Sequence, residues 1–255
     1  IKVNKNNFAQ KGTIAVEKTG EVFFGVSVSG GIDESGNELP IIYQPQYEKR
    51  GLPGAVYEVV AAEDIITPDG TVRNHKGDVV DTIITDENGI AMSCELYLGE
   101  YEVREVTAPN GMVLNPESRF VELVYAGQNV AVTETATSFE NERQKVEISL
   151  VKSIEQNERF DIGTNGEMKN ITFGLFSAEE IVSTSGTFIP ADGLIEIVSL
   201  NEDGTATIKT DLPYGRYYVQ EIATDSHYKL SDAKYPIIFE YAGQDTAVVK
   251  IAVND

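Results

Sequence analysis

Apolar and polar positions alternate with a period of two along most of this 255-residue chain. Runs such as GTIAVEK (12–18), GAVYEVV (54–60), EYEVREV (100–106), VEISLVK (146–152), LIEIVSL (194–200) and RYYVQEI (216–222) are rich in Val, Ile and Tyr. Gly, Asn and Asp clusters separate them, the pattern of half-buried strands joined by tight turns. The chain is therefore predicted to be all-β. TDENG (85–89) and LNEDG (200–204) read as hairpin turns, and their acidic residues lack the alternating ligands and distal Glu of a calcium loop. No metal or cofactor is expected. AAEDII (61–66) and SAEEIV (177–182) are the helix-prone stretches, each expected to form one turn beside a strand.

An internal repeat sets the organisation. LYLGEYEVREV (96–106) matches LPYGRYYVQEI (212–222), and YAGQNVAV (125–132) matches YAGQDTAV (241–248), at one fixed offset. GAVYEVVAAEDI (54–65) echoes FGLFSAEEI (173–181), and GTIAVEK echoes VEISLVK, in the same order. This predicts two tandem β-modules, residues 1–143 and 144–255, the first enlarged by an insertion at about 19–52.

Charge and cysteine narrow the function classes. The 20 Lys and Arg against 41 Asp and Glu give a net charge of −21, which repels phosphate and anionic lipid, so neither nucleic acid nor a membrane surface is an expected partner. No apolar run is long enough for membrane insertion. The chain starts at Ile1, which reads as a processed or cut chain. With Cys94 as the only cysteine, no intrachain disulfide can form. A catalytic Cys94 is disfavoured, because His75 and His227 lie in polar, loop-like contexts.

Strand parity sends charged groups inward. Ile14 and Val16 share a face with Lys18, and Val146, Ile148 and Leu150 share one with Lys152. Likewise Glu105 lines up with Tyr101 and Val103, and Glu221 with Tyr217 and Val219. One Lys and one Glu per module thus face a core, where an unpaired charge is costly. A Lys–Glu salt bridge at the sheet edge, or a lysine snorkelling to solvent, is the plain explanation. The sharper one is a desolvated, neutral amine beside an acid that passes protons, ready to attack a carboxamide on a neighbouring strand. TATSFENER (135–143) supplies Asn141; KIAVND (250–255) offers Asn254 or Asp255.

Lys in the first strand, L-x-x-G-x-Y-x-V-x-E in a middle strand and Asn closing the last strand resemble the Cna B-type (SpaA-type, prealbumin-like) domains of Gram-positive surface adhesins and pilins. REVTAPNG (104–111) resembles that family's E-x-x-A-P-x-G stretch, which degenerates to EIATDSH (221–227) in the second copy. The resemblance implies immunoglobulin-like β-sandwiches in which Lys18 joins Asn141, and Lys152 joins Asn254, as isopeptides. Glu105 and Glu221 would be the proton shuttles and ammonia the leaving group. It further implies an extracellular chain on a bacterial surface, wall-anchored through other regions, with other pilin subunits as sortase-joined partners. The second acceptor stays open. Asn141 lies 13 residues past Gln128 but Asn254 only ten past Gln244, so Asn254, Asp255 or a later residue each fits part of the pattern.

The first functional expectation is thus a stalk or adhesion module, not a turnover enzyme. KYPI (234–237) lacks the lysine of a Y-P-K pilin motif, which favours an adhesin stalk or accessory subunit over a pilus backbone. The alternative is a module binding a host matrix protein or glycan through Tyr43, Pro45 and Tyr47 of IIYQPQYEKRG (41–51), against which stands a loop that merely covers a sheet edge. A glycosidase-like carboxylate pair is disfavoured by the absence of Trp.

Overall fold

A computed structural model describes residues 8–32, 34–160 and 162–254. No α-helix occurs among them; two short 3-10 turns, Glu158–Phe160 and Glu167–Asn170, are the helical content. Contacts divide the chain into two compact units. Unit 1 comprises residues 1–21, 49–143 and 243–245; unit 2 comprises 22–48, 144–242 and 246–255.

The strands up to the repeat boundary are β1 (Lys11–Ile32), β2 (Glu38–Gly51), β3 (Val56–Ala61), β4 (Ile65–Ile66), β5 (Val72–Asn74), β6 (Val79–Ile84) and β7 (Ile90–Met92). They continue with β8 (Leu96–Tyr97), β9 (Gly99–Thr107), β10 (Ser118–Leu123) and β11 (Val132–Asn141). One sheet has the order β11-β1-β2, with β7 and β8 also on β1; the other runs β10-β9-β3-β6. Their inner faces enclose Ile14, Val16, Tyr57, Val59, Tyr101, Val103, Leu123 and Phe139. Alternation made this possible: β1 buries Ile14, Val16 and Lys18 while Thr13, Ala15 and Glu17 stay wetter.

Unit 2 repeats the plan with β12 (Lys145–Val151), β13 (Thr172–Ser177), β14 (Ile181–Val182), β15 (Phe188–Ile189) and β16 (Leu194–Ser199). It is completed by β17 (Thr205–Ile208), β18 (Gly215–Ala223), β19 (Lys234–Phe239) and β20 (Val248–Asn254). Its sheets are β17-β12-β20 and β16-β13-β18-β19. In both units the first and last strands pair in parallel, β1 with β11 and β12 with β20. That pairing brings the inward end of the first strand beside the close of the last.

One expectation meets a correction. AAEDII and SAEEIV form bends that lead into the short strands β4 and β14, because their apolar ends Ile65 and Ile181 are drawn into the cores. The insertion is strand, the continuation of β1 and its partner β2. Its residues 22–48 group with unit 2, where Phe23, Val26 and Tyr43 pack against the core and the Tyr47 hydroxyl donates to the Asp211 carbonyl at 3.2 Å. Tyr43 and Tyr47 are both half-buried.

Candidate functional site

In unit 1 the turn after β6 seats the lysine. Asp86 Oδ1 accepts the amides of Asn88 and Ile90, both at 2.9 Å, and the turn closes with Gly89 at φ 79°. The Lys18 amide donates to the Gly89 carbonyl at 2.7 Å, and the Leu52 amide donates to the Lys18 carbonyl at 3.0 Å. A Cβ at position 89 would lie 2.3 Å from that same carbonyl, so only glycine fits both the backbone angle and the approach. Asp86 thus orders the backbone of the turn; among the described residues there is no group of three or more His, Cys, Asp and Glu placed to hold a metal ion.

Three strands from both sheets converge on Lys18 Nζ. The parallel register sets Lys18 opposite Phe139 and Gly20 opposite Asn141, so Asn141 enters from the same face two residues on. Lys18 Nζ donates to Asn141 Oδ1. Glu105 Oε1, from β9 in the facing sheet, lies 3.0 Å from Lys18 Nζ and accepts from Asn141 Nδ2, also at 3.0 Å. Glu105 Oε2 accepts the Asn115 amide at 2.9 Å. The side chains of Lys18 and Glu105 are both 0% exposed. Phe139 and Tyr57, with ring centroids 4.8 Å apart, flank the amine at 5.9 and 5.8 Å.

Desolvation is the largest influence on Lys18 and holds its pKa below the usual lysine value, against the opposing pull of Glu105 and Glu140. Burial, and next the Glu105 charge, push the Tyr57 phenol up. A single carboxylate oxygen thus touches both the amine and the amide nitrogen of a carboxamide whose oxygen the amine already meets. That is the arrangement needed to move a proton from an attacking to a departing nitrogen.

Unit 2 reproduces half of this. The Lys152 amide donates to the Gly204 carbonyl at 2.8 Å, Gly204 standing at φ 80° as Gly89 does. Lys152 Nζ lies 3.0 Å from Glu221 Oε2, with side chains 13% and 2% exposed. Glu221 Oε1 is buried without a hydrogen-bond partner. A cavity of about 150 Å³ opens beside the pair, bounded by Ile171, Thr224, Tyr228 and Lys229. Asn254 is not brought to Lys152. It pairs with Val151 on the outward face and is exposed, because the inward positions of β20 are Val249, Ile251 and Val253. Asp255 lies outside the described residues.

The model of the SpaA family, a prealbumin-like fold domain, matches residues 41–138 and again 154–254. The chain belongs to the SpaA prealbumin-like family. Among solved structures it resembles the Bacillus anthracis TIE protein at 20% identity and TM-score 0.54, covering 96% of this chain and 34% of that one. A streptococcal ancillary pilin aligns at 20% identity and TM-score 0.31 over 96% and 63%. The chain spans about a third of the first and under two thirds of the second. Comparison with curated proteins gives no match.

In these SpaA modules several supporting residues escaped the sequence reading. The Tyr101 hydroxyl donates to the Tyr97 carbonyl and that of Tyr217 to the Pro213 carbonyl, each at 2.6 Å. Gln10 holds the YAGQ turn of unit 1 by accepting the Ala126 amide at 2.9 Å; Gln144 does so in unit 2 by accepting that of Ala242 at 2.8 Å. Both glutamines stand four residues before an inward Ile, a repeat signal visible in the sequence. Asn115 carried no such signal. Cys94 is exposed, and partial burial, then Asp81, pushes its thiol up, the wrong direction for a nucleophile.

Proposed function

We propose that the chain is a structural stalk or adhesion module of a bacterial cell-wall-anchored surface protein or accessory pilin, held closed by internal Lys–Asn isopeptide bonds. The carrying observation is Glu105 Oε1 at 3.0 Å from both Lys18 Nζ and Asn141 Nδ2 in a sealed site. Family membership supports the extracellular assignment. Other pilin subunits are the proposed partners.

In the chemistry proposed, the neutral Lys18 amine attacks Asn141 Cγ and a C–N bond forms. Glu105 takes the proton released by the amine and delivers it to the carboxamide nitrogen. The old C–N bond breaks and ammonia departs. Phe139 and Tyr57 exclude water, so the amine meets no competing solvation. The event happens once per molecule, so the protein is its own substrate and no turnover follows. Intact-mass measurement and tryptic mapping test it. A Lys18–Asn141 cross-linked peptide one ammonia light is expected, and a native chain with both side chains unlinked would refute the reading.

A further inference from the structure

We propose that the outer edge of β11 is a docking site for an extended, basic segment of a partner protein, which joins the sheet as a further strand. The segment presents a large apolar side chain between two cationic ones. This role goes beyond the cross-link and does not require it.

The backbone provides the opening. Among the described residues β11 pairs with β1 alone, in a parallel register that runs without a shift from Val132 to Asn141. Alternate residues of a strand turn their N–H and C=O groups to opposite sides, so those not directed at β1 point away from the sheet. From Val132 to Ser138 none of these outward groups is hydrogen-bonded to another part of the described chain. Asn115 Nδ2 donates to the Glu140 carbonyl at 3.1 Å and closes the run at its far end. Such an edge is a template for another strand, and proteins blunt it with Lys, Pro or a bulge. VTETATS (132–138) has neither Lys nor Pro, and its register is unbroken.

Unit 2 shows the blunted form. Lys250 of β20 stands six residues past Gln244 of its YAGQ turn, as Glu134 of β11 stands six past Gln128. The edge lysine of β20, paired in register with Glu147, is thus replaced in β11 by a glutamate.

The side chains choose the occupant. On the solvent face of β11, Glu134, Ala136 and Ser138 are exposed and stand opposite Thr13, Ala15 and Glu17 of β1. Ala15 faces Met92 of β7 on its other side, and Glu17 faces Ile90. The two alanines leave a hollow of about 350 Å³ bounded by Ile90. Glu17 and Glu134 have no ion-pair partner among the described residues, whereas Glu140 is taken by Lys49. A strand added at β11 alternates as β11 does. Its residue beside Ala136 lies over the hollow, and residues two positions to either side meet Glu134 and, across Ser138, Glu17. A large apolar side chain fits the first place and Lys or Arg the other two. Edge-to-edge pairing with a second copy would bring Glu134 and Glu140 to an edge already acidic, in a chain of net charge −21.

The probe is a capped heptapeptide with Phe at its centre, Lys two positions to either side and Thr elsewhere, added to the 255-residue chain. Amide NMR shifts and slowed hydrogen exchange should map to alternate residues between Val132 and Ser138 and to neighbours on β1 and β7. Added salt should weaken binding. Glu134→Lys in a chain with native circular dichroism, Glu for Lys in the peptide, or N-methylation of its β11-facing amides should each weaken binding by about tenfold or more. No response of β11 at millimolar peptide would overturn the proposal, as would undiminished binding of the N-methylated peptide or undiminished binding to the Glu134→Lys chain. Exchange at β11 that slows with protein concentration in the absence of peptide would place a second copy there and overturn it as well.

Discussion

Lys18 and Lys152 occupy the same place on the first strand of their units, each with its amide on the carbonyl of a turn glycine, Gly89 or Gly204. Their surroundings differ. Lys18 is sealed beside Glu105 and Asn141, whereas Lys152 borders a cavity beside a glutamate with one oxygen unmatched. The register partner of each glutamate sharpens the contrast: Tyr57 stands opposite Glu105, but Phe173 stands opposite Glu221. The repeat therefore preserves the backbone device that aims the lysine more strictly than the side chains that complete its site.

The largest effect that could break this comparison comes from removing the proposed bond in unit 1. Asn141→Ala should leave the fold assembled but its ends free. Closing a loop of over a hundred residues is worth roughly 5 kcal/mol in a chain-entropy model. The unit 1 transition in calorimetry should then fall by about 10–20 °C, with unit 2 unmoved. Equal melting of the variant and the parent would mean the two sites are equally unlinked.

A smaller effect is expected at the turn anchors. Gln144 is buried and bonds Ala242 and Thr246, whereas Gln10 is only half-buried. Gln144→Ala should cost unit 2 about 1–3 kcal/mol in urea unfolding and Gln10→Ala should cost unit 1 less, because fewer polar groups are stranded away from water. Reversal of that order would contradict the burial difference.

Tyr57→Phe makes the unit 1 site resemble that of unit 2. The bond should still form, since the hydroxyl is not among the reacting atoms and has no hydrogen-bond partner to lose, and its rate should change by less than about fivefold, the equivalent of 1 kcal/mol. Time-resolved intact mass after refolding reads this directly.

The smallest effect is a pH dependence in the unlinked Asn141→Ala variant. Burial lowers the folded-state pKa of Lys18 below its ordinary 10.5. Between those two values the unfolded chain binds more protons, so stability should rise with pH there. The penalty for charging the buried amine is full below the folded pKa. Lys18→Met in that background should abolish the slope; an unchanged slope would locate the titration elsewhere.

Period-two alternation named the strands and the inward lysines and glutamates because burial on one face of a sheet is a local property. Lys18, Glu105 and Glu221 stand where parity put them. Asn254 fits by residue type, but its outward face on β20 follows from a register that only pairing with β12 defines. Phe23 and Tyr43 read as insertion because nothing local says which core an extended ribbon joins. Asn115 reaches Glu105 through its backbone amide, a contact no side-chain pattern encodes.

The convergence of β1, β9 and β11 on Lys18 has a consequence for how the chain reaches its final state. Amine, shuttle and carboxamide meet only when the two sheets are stacked and the last strand is in register. A slip of one residue would turn Asn141 outward. The proposed reaction therefore works as an inspection step: it passes only a correctly assembled unit 1. Misregistered chains stay reversible and free to try again, while correct ones become permanent.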